Sequence, residues 1–309
     1  MNFSALFLCL CLCLHAEEFV LQVFTGGRFG EQLQGYLQAK WVSYLQGVPL
    51  VYTPFSYSTF LALDREEVRF DPSAHRPDRL HQSIGVSPPL PDRSVYTCYY
   101  YTSSQPQDTI FPIEIDWKNE EFRRLALKMI APRIDLALAT PPAHTVNIAI
   151  HVREGGGFDR IENLEAEEAL AMKVPPFHFY LDALERAIAY FPDSPLYIHL
   201  FTDAMDPGAL AERLQQAIPP DRTAQLEYRR ENNRHDAFVL EDFFSLFLFD
   251  ALIRSQSQFS LIPSCLHDFA VVLSPAHYSV QDNQVIIDEI RIDLNQSIFN
   301  QLESKKYYK

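Results

Sequence analysis

The sequence predicts an α/β fold: two Rossmann-like domains, each a largely parallel sheet covered by helices, facing each other across a cleft. Three observations predict it. Strand-like and helix-like segments alternate from residue 18 to residue 273. The runs VNIAIHV at 146–152 and LYIHLFT at 196–202 are predominantly apolar, with β-branched residues, the pattern of strands buried on both faces. The break Thr140-Pro141-Pro142-Ala143 divides the alternation into an N-terminal domain at 17–140 and a C-terminal domain at 141–309.

In the first half, EFVLQVF at 18–24 reads as a strand. Residues 31–46 carry Leu33, Tyr36, Leu37, Trp41, Tyr44 and Leu45 at helical spacing. A second strand is expected at 48–52, a charged, proline-rich long loop with short elements at 64–93, a third strand at 96–101 and a long helix at 120–138. The second half predicts strands at 146–152, 196–202, 225–228, 258–262 and 271–273. Its helices are expected at 177–190, 207–218 and, as one apolar segment, 240–253.

The 309 residues, 47% hydrophobic and 13% aromatic, suffice for a sizeable core and exclude a disordered chain. Acids outnumber bases 40 to 26, for a formal charge of −14. Such a surface repels phosphate backbones and anionic lipid, so neither nucleic acid nor a membrane surface is an expected partner. Any anionic ligand must be met by a few local basic residues. No CxxC or HExxH occurs, so no metal is expected. Of five cysteines, Cys98 and Cys265 lie in the body, either as two thiols or as one bridge. Residues 1–16 contain the apolar run ALFLCLCLCL, too short to span a bilayer, and are expected to be a signal peptide. That places the chain in a secretory-pathway lumen or outside the cell; the alternative, a mis-assigned start, leaves it cytoplasmic.

Ligands of open α/β sheets bind beyond the carboxyl ends of strands. Three segments lie there. Thr25-Gly26-Gly27-Arg28-Phe29-Gly30-Glu31-Gln32 follows a strand and opens a helix, where glycines and free N–H groups admit an anion. The spacing is not GxGxxG, which argues against a dinucleotide-binding oxidoreductase; GxSxG is also absent, which argues against a lipase-type hydrolase. His151-Val152-Arg153-Glu154-Gly155-Gly156-Gly157 offers a guanidinium for two-pronged contact with phosphate. In the third, Asp242 and Asp250 lead into Ser255-Gln256-Ser257-Gln258-Phe259-Ser260, where hydroxyls can grip a phosphate and an acid can accept from a base such as guanine. Glu114-Ile115-Asp116 is read as same-face acids on a solvated strand.

Together GGRFGEQ, HVR and D-x7-D followed by SQSQFS resemble the fucosyltransferase superfamily, which holds α1,2-, α1,6- and protein O-fucosyltransferases with the patterns G-R-x-G-N-Q, H-x-R-R-G-D and S-S-F-S. The similarity spans residues 20 to about 270. It implies a GT-B-like glycosyltransferase fold, inverting transfer of fucose from GDP-fucose to a glycan or protein hydroxyl, and neither metal nor other cofactor. Position by position, Arg153 matches the arginine that holds the β-phosphate and His151 its partner. Gly27, Arg28 and Gly30 match the first-domain loop. Asp242 matches an acid that reads guanine, Ser257, Phe259 and Ser260 the phosphate-proximal turn, and Asp203 the acid after the central strand. Inverting transfer needs a base on the acceptor hydroxyl; Glu162 is expected in that role, with Asp159, Glu165 and Glu31 as further candidates. The chain departs from the pattern at Glu31 for Asn, Glu154 for the second Arg, Gly156 for Asp and Gln258 for Ser. A carboxylate beside the phosphate-binding arginine weakens its pull on an anion, so the alternative is an inactive nucleotide- or sugar-binding homologue.

Overall fold

The structure, a computed structural model, describes residues 19–23, 27–71, 73, 81–82, 95–99, 114–155, 161–230 and 238–305. The expected leader at 1–16, together with Thr25, Gly26, Gly156, Gly157 and Asp159, lies outside the described residues.

Two sheets organise the chain. The first contains β1 (Phe19–Val23), β2 (Leu50–Tyr52), β3 (Val68–Arg69), β4 (His81–Gln82) and β5 (Val95–Tyr99), ordered β3-β2-β1-β5-β4 with every pair parallel. The second contains β6 (Val146–Val152), β7 (Leu196–Thr202), β8 (Ala224–Tyr228), β9 (Ala251–Arg254), β10 (Val271–Gln281) and β11 (Gln284–Leu294), ordered β11-β10-β9-β6-β7-β8. Only the β10–β11 pair is antiparallel. The apolar runs of β6 and β7 follow from double-sided burial. Ile148, Ile150 and Val152 pack on α5 (Phe177–Tyr190) and α6 (Pro207–Ala217), while Ala149, Tyr197 and Phe201 pack with Phe249 and Leu252 on the other face.

Helix α1 (Phe29–Gln46) buries Phe29, Leu33, Tyr36, Leu37 and Trp41 against the first sheet, as its spacing predicts. The same cluster holds Leu61 and Leu63, at the start of α2 (Leu63–Glu66), and Phe122 and Met129 of α3 (Glu120–Ile130). It also takes in Leu240 and Phe243 of α7 (Leu240–Ser245) and Ile262 and Leu266 of α8 (Gln258–Leu266). The remaining helices are α4 (Leu164–Leu170) and α9 (Gln296–Lys305). Among the described residues no helix is long and apolar enough to cross a membrane.

Several expectations are corrected. The helix expected at 120–138 ends at Ile130, because Pro132 disfavours helical geometry at Ala131. The segment at 240–253 is not one helix: α7 gives way to a 3₁₀ turn at Leu246–Leu248 and then to β9. Asp250 forces that change, since its N–H donates to the Asn147 carbonyl and its carboxylate accepts from the Asn147 N–H, both at 2.9 Å, which starts β9 beside β6. The strand expected at 258–262 is the first half of α8, with Ser257 in the N-cap position. The strand at 271–273 runs on to Gln281 and returns as β11 through Asp282 and Asn283, both in the left-handed region with φ of 51° and 59°, the requirement of a tight hairpin turn. Glu114 and Asp116 are exposed but lie on no strand; Asp116 accepts from the Lys118 N–H at 3.0 Å in a turn. Cys265 is a partly buried free thiol on α8, pushed up by burial; the Cys98 side chain lies outside the description.

Candidate active site

In the second sheet the chain steps outward from β6 through β7 to β8, then returns to the other side of β6 at β9. The crevice at such a reversal is where open α/β sheets bind ligands. Here the carboxyl ends of β6 and β9 present His151, Arg153 and Arg254, each only 7–8% exposed.

His151 occupies the centre. Its Nδ1 shares a 2.9 Å hydrogen bond with the Ser260 hydroxyl, and its ring lies 5.2 Å from that of Phe259, tilted by 30°. Burial pushes its pKa down to about 3; Asp203 opposes the shift, and the guanidinium groups of Arg153, Arg28 and Arg254 reinforce it. The imidazole is therefore neutral at physiological pH, a hydrogen-bonding strut among cations rather than a charge.

Asp203, just past β7, ties the two sheets together. Its Oδ2 accepts from Arg28 Nη2 at 3.1 Å, and its Oδ1 accepts from the Glu154 N–H at 2.7 Å. Arg28 belongs to the first lobe, and Glu154 follows Arg153 in the second. One carboxylate thus fixes both predicted phosphate-binding segments on the same side of the crevice. The Glu154 carboxyl is raised above the usual range by partial burial and by Asp203.

The start of α1 has two glycines with different reasons. Gly27 adopts φ +88°, and a Cβ there would fall 2.2 Å from Glu31 Oε2. Gly30 sits within the first turn of α1 rather than in a loop, and a Cβ there would fall 2.6 Å from the backbone nitrogen of Phe259. The missing side chain lets α1 and the start of α8 touch backbone to backbone. Glu31 accepts from the Arg28 N–H at 3.3 Å and from Lys173 Nζ at 3.1 Å. A carboxylate therefore occupies the amino end of α1, where an anion would otherwise be favoured.

The structure brings together Arg28, Gly30, His151, Arg153, Asp203, Phe259 and Ser260, with Gly27 at the α1 entry and Ser257 buried at the start of α8. Asp242 stands apart on α7, linked to the cluster through its neighbour Phe243, whose ring lies 5.6 Å from Phe259. Arg229 holds Asp242 at 2.7 Å and Glu241 at 3.1 Å. Burial raises the Asp242 carboxyl to about 6 in spite of Arg229. Glu162 is exposed just before α4 and Glu165 is exposed on its first turn, and among the described residues neither hydrogen-bonds a member of the cluster.

Sequence reasoning missed Arg254, Lys173 and Arg229. Arg254 became visible only once β9 was recognised as a strand, since reading 240–253 as a helix left it outside any strand end. Lys173 follows a short acidic helix that carried no strand–helix signal.

No family profile matches the chain, and no curated protein sequence does. Solved structures do resemble it. The α1,6-fucosyltransferase NodZ, in a crystal soaked with GDP-fucose, is 15% identical with a TM-score of 0.52, over 90% of this chain and 99% of that one. The fucosyltransferase NodZ from Bradyrhizobium is 16% identical with a TM-score of 0.51, over the same 90% and 99%. NodZ co-crystallised with GDP gives 15% and 0.51 at the same coverage. The resemblance first carried by short motifs thus extends to the architecture of nearly the whole chain, which is similar in fold to the NodZ fucosyltransferase: α/β, with two Rossmann-like lobes in the GT-B arrangement.

Proposed function

We propose that this chain is a metal-independent, inverting glycosyltransferase of the fucosyltransferase type, which takes GDP-fucose as donor and a glycan or protein hydroxyl as acceptor. One observation carries the reading: Asp203 bonds both the Arg28 guanidinium of the first lobe and the backbone N–H of Glu154, the residue after Arg153, at the crevice where the second sheet reverses its strand order. The NodZ structures that share the fold were solved with GDP and with GDP-fucose, which supports the same donor.

Departure of GDP builds negative charge on its terminal phosphate. Guanidinium groups already oriented in a water-poor crevice stabilise that charge without reorganising. The neutral His151 holds Ser260 and Phe259 in place beneath them. Glu162, exposed ahead of the segment that returns to Lys173, is the base we assign to the acceptor hydroxyl. Asp242 is assigned to the guanine edge, which requires it to leave Arg229 for the base.

The test is calorimetric titration with GDP, GDP-fucose, GDP-mannose and UDP, followed by transfer assays on Arg153→Ala and Arg153→Lys. Binding of GDP compounds is expected, and Arg153→Ala should lower turnover by roughly 10²–10³ while circular dichroism stays unchanged. Transfer near the wild-type rate, or binding of UDP alone, overturns the reading. A second reading, an inactive binding homologue, is favoured by Glu31, which seats a carboxylate on the amino end of α1 and holds Lys173. It predicts GDP binding with neither hydrolysis nor transfer.

A further inference from the structure

Arg254 closes β9 directly opposite His151 of β6, so their side chains leave the sheet on the same face. That face is the one covered by α8, where His151 meets Phe259 and Ser260. Arg254 is 7% exposed, yet among the described residues its one hydrogen bond is from Nη1 to the neighbouring Ser255 carbonyl at 2.9 Å. Its Nε has no partner, and it forms no ion pair with any described carboxylate. The acid whose charge it feels, Asp293, is already engaged: it is half exposed and held by Arg291 at 2.9 Å. Beyond the last β9–β10 pair, Ile253 with Leu273, comes Ser274, also buried and also without a partner for its hydroxyl.

A buried guanidinium without a counter-charge is unfavourable for folding, and replacing it with an apolar side chain of similar volume is neutral or stabilising. Its position is informative for that reason. It stands at the strand-order reversal, one strand from Arg153, in a cluster where three guanidinium groups and the Asp203 carboxylate act on His151. An anionic ligand supplies what the fold withholds.

Building on the function proposed above, we propose that Arg254 is a second guanidinium for the diphosphate of the nucleotide donor, set across His151 from Arg153, with Ser274 as an additional donor to the same oxygens.

The experiment uses the full chain and two probes, inorganic pyrophosphate and GDP, titrated calorimetrically into wild type, Arg254→Met and Arg254→Lys, with melting temperatures measured alongside. The expected result is a loss of about 10- to 100-fold in affinity for both probes in Arg254→Met, the scale of a lost hydrogen bond to a charged group. Arg254→Lys should lose less. The melting temperature of Arg254→Met should be unchanged or higher, which a merely structural arginine would not give. Undiminished pyrophosphate and GDP binding by Arg254→Met, or equal loss of binding and melting temperature in both variants, overturns the inference and leaves the proposed function standing. Wild type that binds pyrophosphate through Arg254 but not GDP overturns the proposed donor and keeps the anion site. Wild type that binds neither probe overturns both.

Discussion

Gly30→Ala tests the junction on which the site is built. The added Cβ would lie 2.6 Å from the Phe259 nitrogen, 2.8 Å from its Cα and 3.1 Å from the Gln258 carbonyl carbon. All three are backbone atoms, so no rotamer change relieves the clash. Ordinary contact begins near 3.4 Å, so α1 and the start of α8 must part by about 0.8 Å. Overpacking of this kind costs about 1–3 kcal/mol. The displacement carries Ser260 with it and stretches its 2.9 Å bond to His151, whose loss adds about 1 kcal/mol. Alanine's better helix propensity returns up to ~1 kcal/mol. The net loss is therefore about 1–3 kcal/mol, or a fall of roughly 2–10 °C in Tm. Differential scanning calorimetry reads this directly, and GDP affinity should fall with it. Gly208→Ala is the control. Its Cβ meets the mobile end of Tyr228 at 3.3 Å and the Asp206 carboxylate at 3.4 Å, so stability should hardly change. If Gly30→Ala melts with the wild type, the backbone-to-backbone approach of α1 and α8 is wrong, and the convergence of the two lobes at Phe259 fails with it.

Other perturbations probe the charges. Asp242 has a folded pKa of about 6, above its unfolded value of 3.8, so its contribution to stability is complete below pH 3.8 and disappears as pH rises through 6. Asp242→Asn should therefore match wild type near pH 4 and exceed it at pH 7 by up to ~3 kcal/mol in urea unfolding; a difference that does not vary with pH would refute this. GDP affinity should also weaken in the wild type below pH 6, as the carboxylate that meets the guanine edge is protonated, and Asp242→Asn should abolish that dependence. His151, lowered to about 3, binds fewer protons folded than unfolded between that value and 6.5, so its contribution is present above pH 6.5 and lost toward pH 3; a His151→Gln variant should show a shallower acid limb in the same unfolding series. Glu31→Gln keeps an oxygen for the Arg28 N–H but removes the charge that holds Lys173. Titration should show GDP binding several-fold tighter, and no gain would mean that Glu31 lies outside the anion's field.

The parts of the fold that sequence made legible were those where one signal dominated. VNIAIHV and LYIHLFT are buried on both faces and therefore apolar without alternation, and the α1 stripe from Leu33 to Trp41 faces a single core. Legibility failed where a tertiary contact set the boundary. Nothing local says that Asp250 will pair with Asn147 and turn an apolar helical run into a strand. SQSQFS is rich in residues that suit a strand entry and an N-cap equally, and packing on α1 decides for the helix. The β10–β11 hairpin carried a turn signal in Asp282-Asn283, but its mixed, exposed strands hid the alternation. In the site, Arg153, His151 and Arg28 were readable because they sit beside glycines at strand ends. Arg254 was not, because its strand was not. The capture of Asp242 by Arg229 is a matter of distance that spacing along a chain does not encode.

The apolar cluster around Phe29 and Leu33 draws Leu240, Phe243, Ile262 and Leu266 from beyond residue 140. A fragment ending near that residue would leave this surface bare, and the complementary fragment would carry two greasy helices with nowhere to go. Neither piece should be soluble by itself, and mixing them should restore what each lacks. Heating the intact chain should accordingly give one transition rather than two, although it contains two sheets.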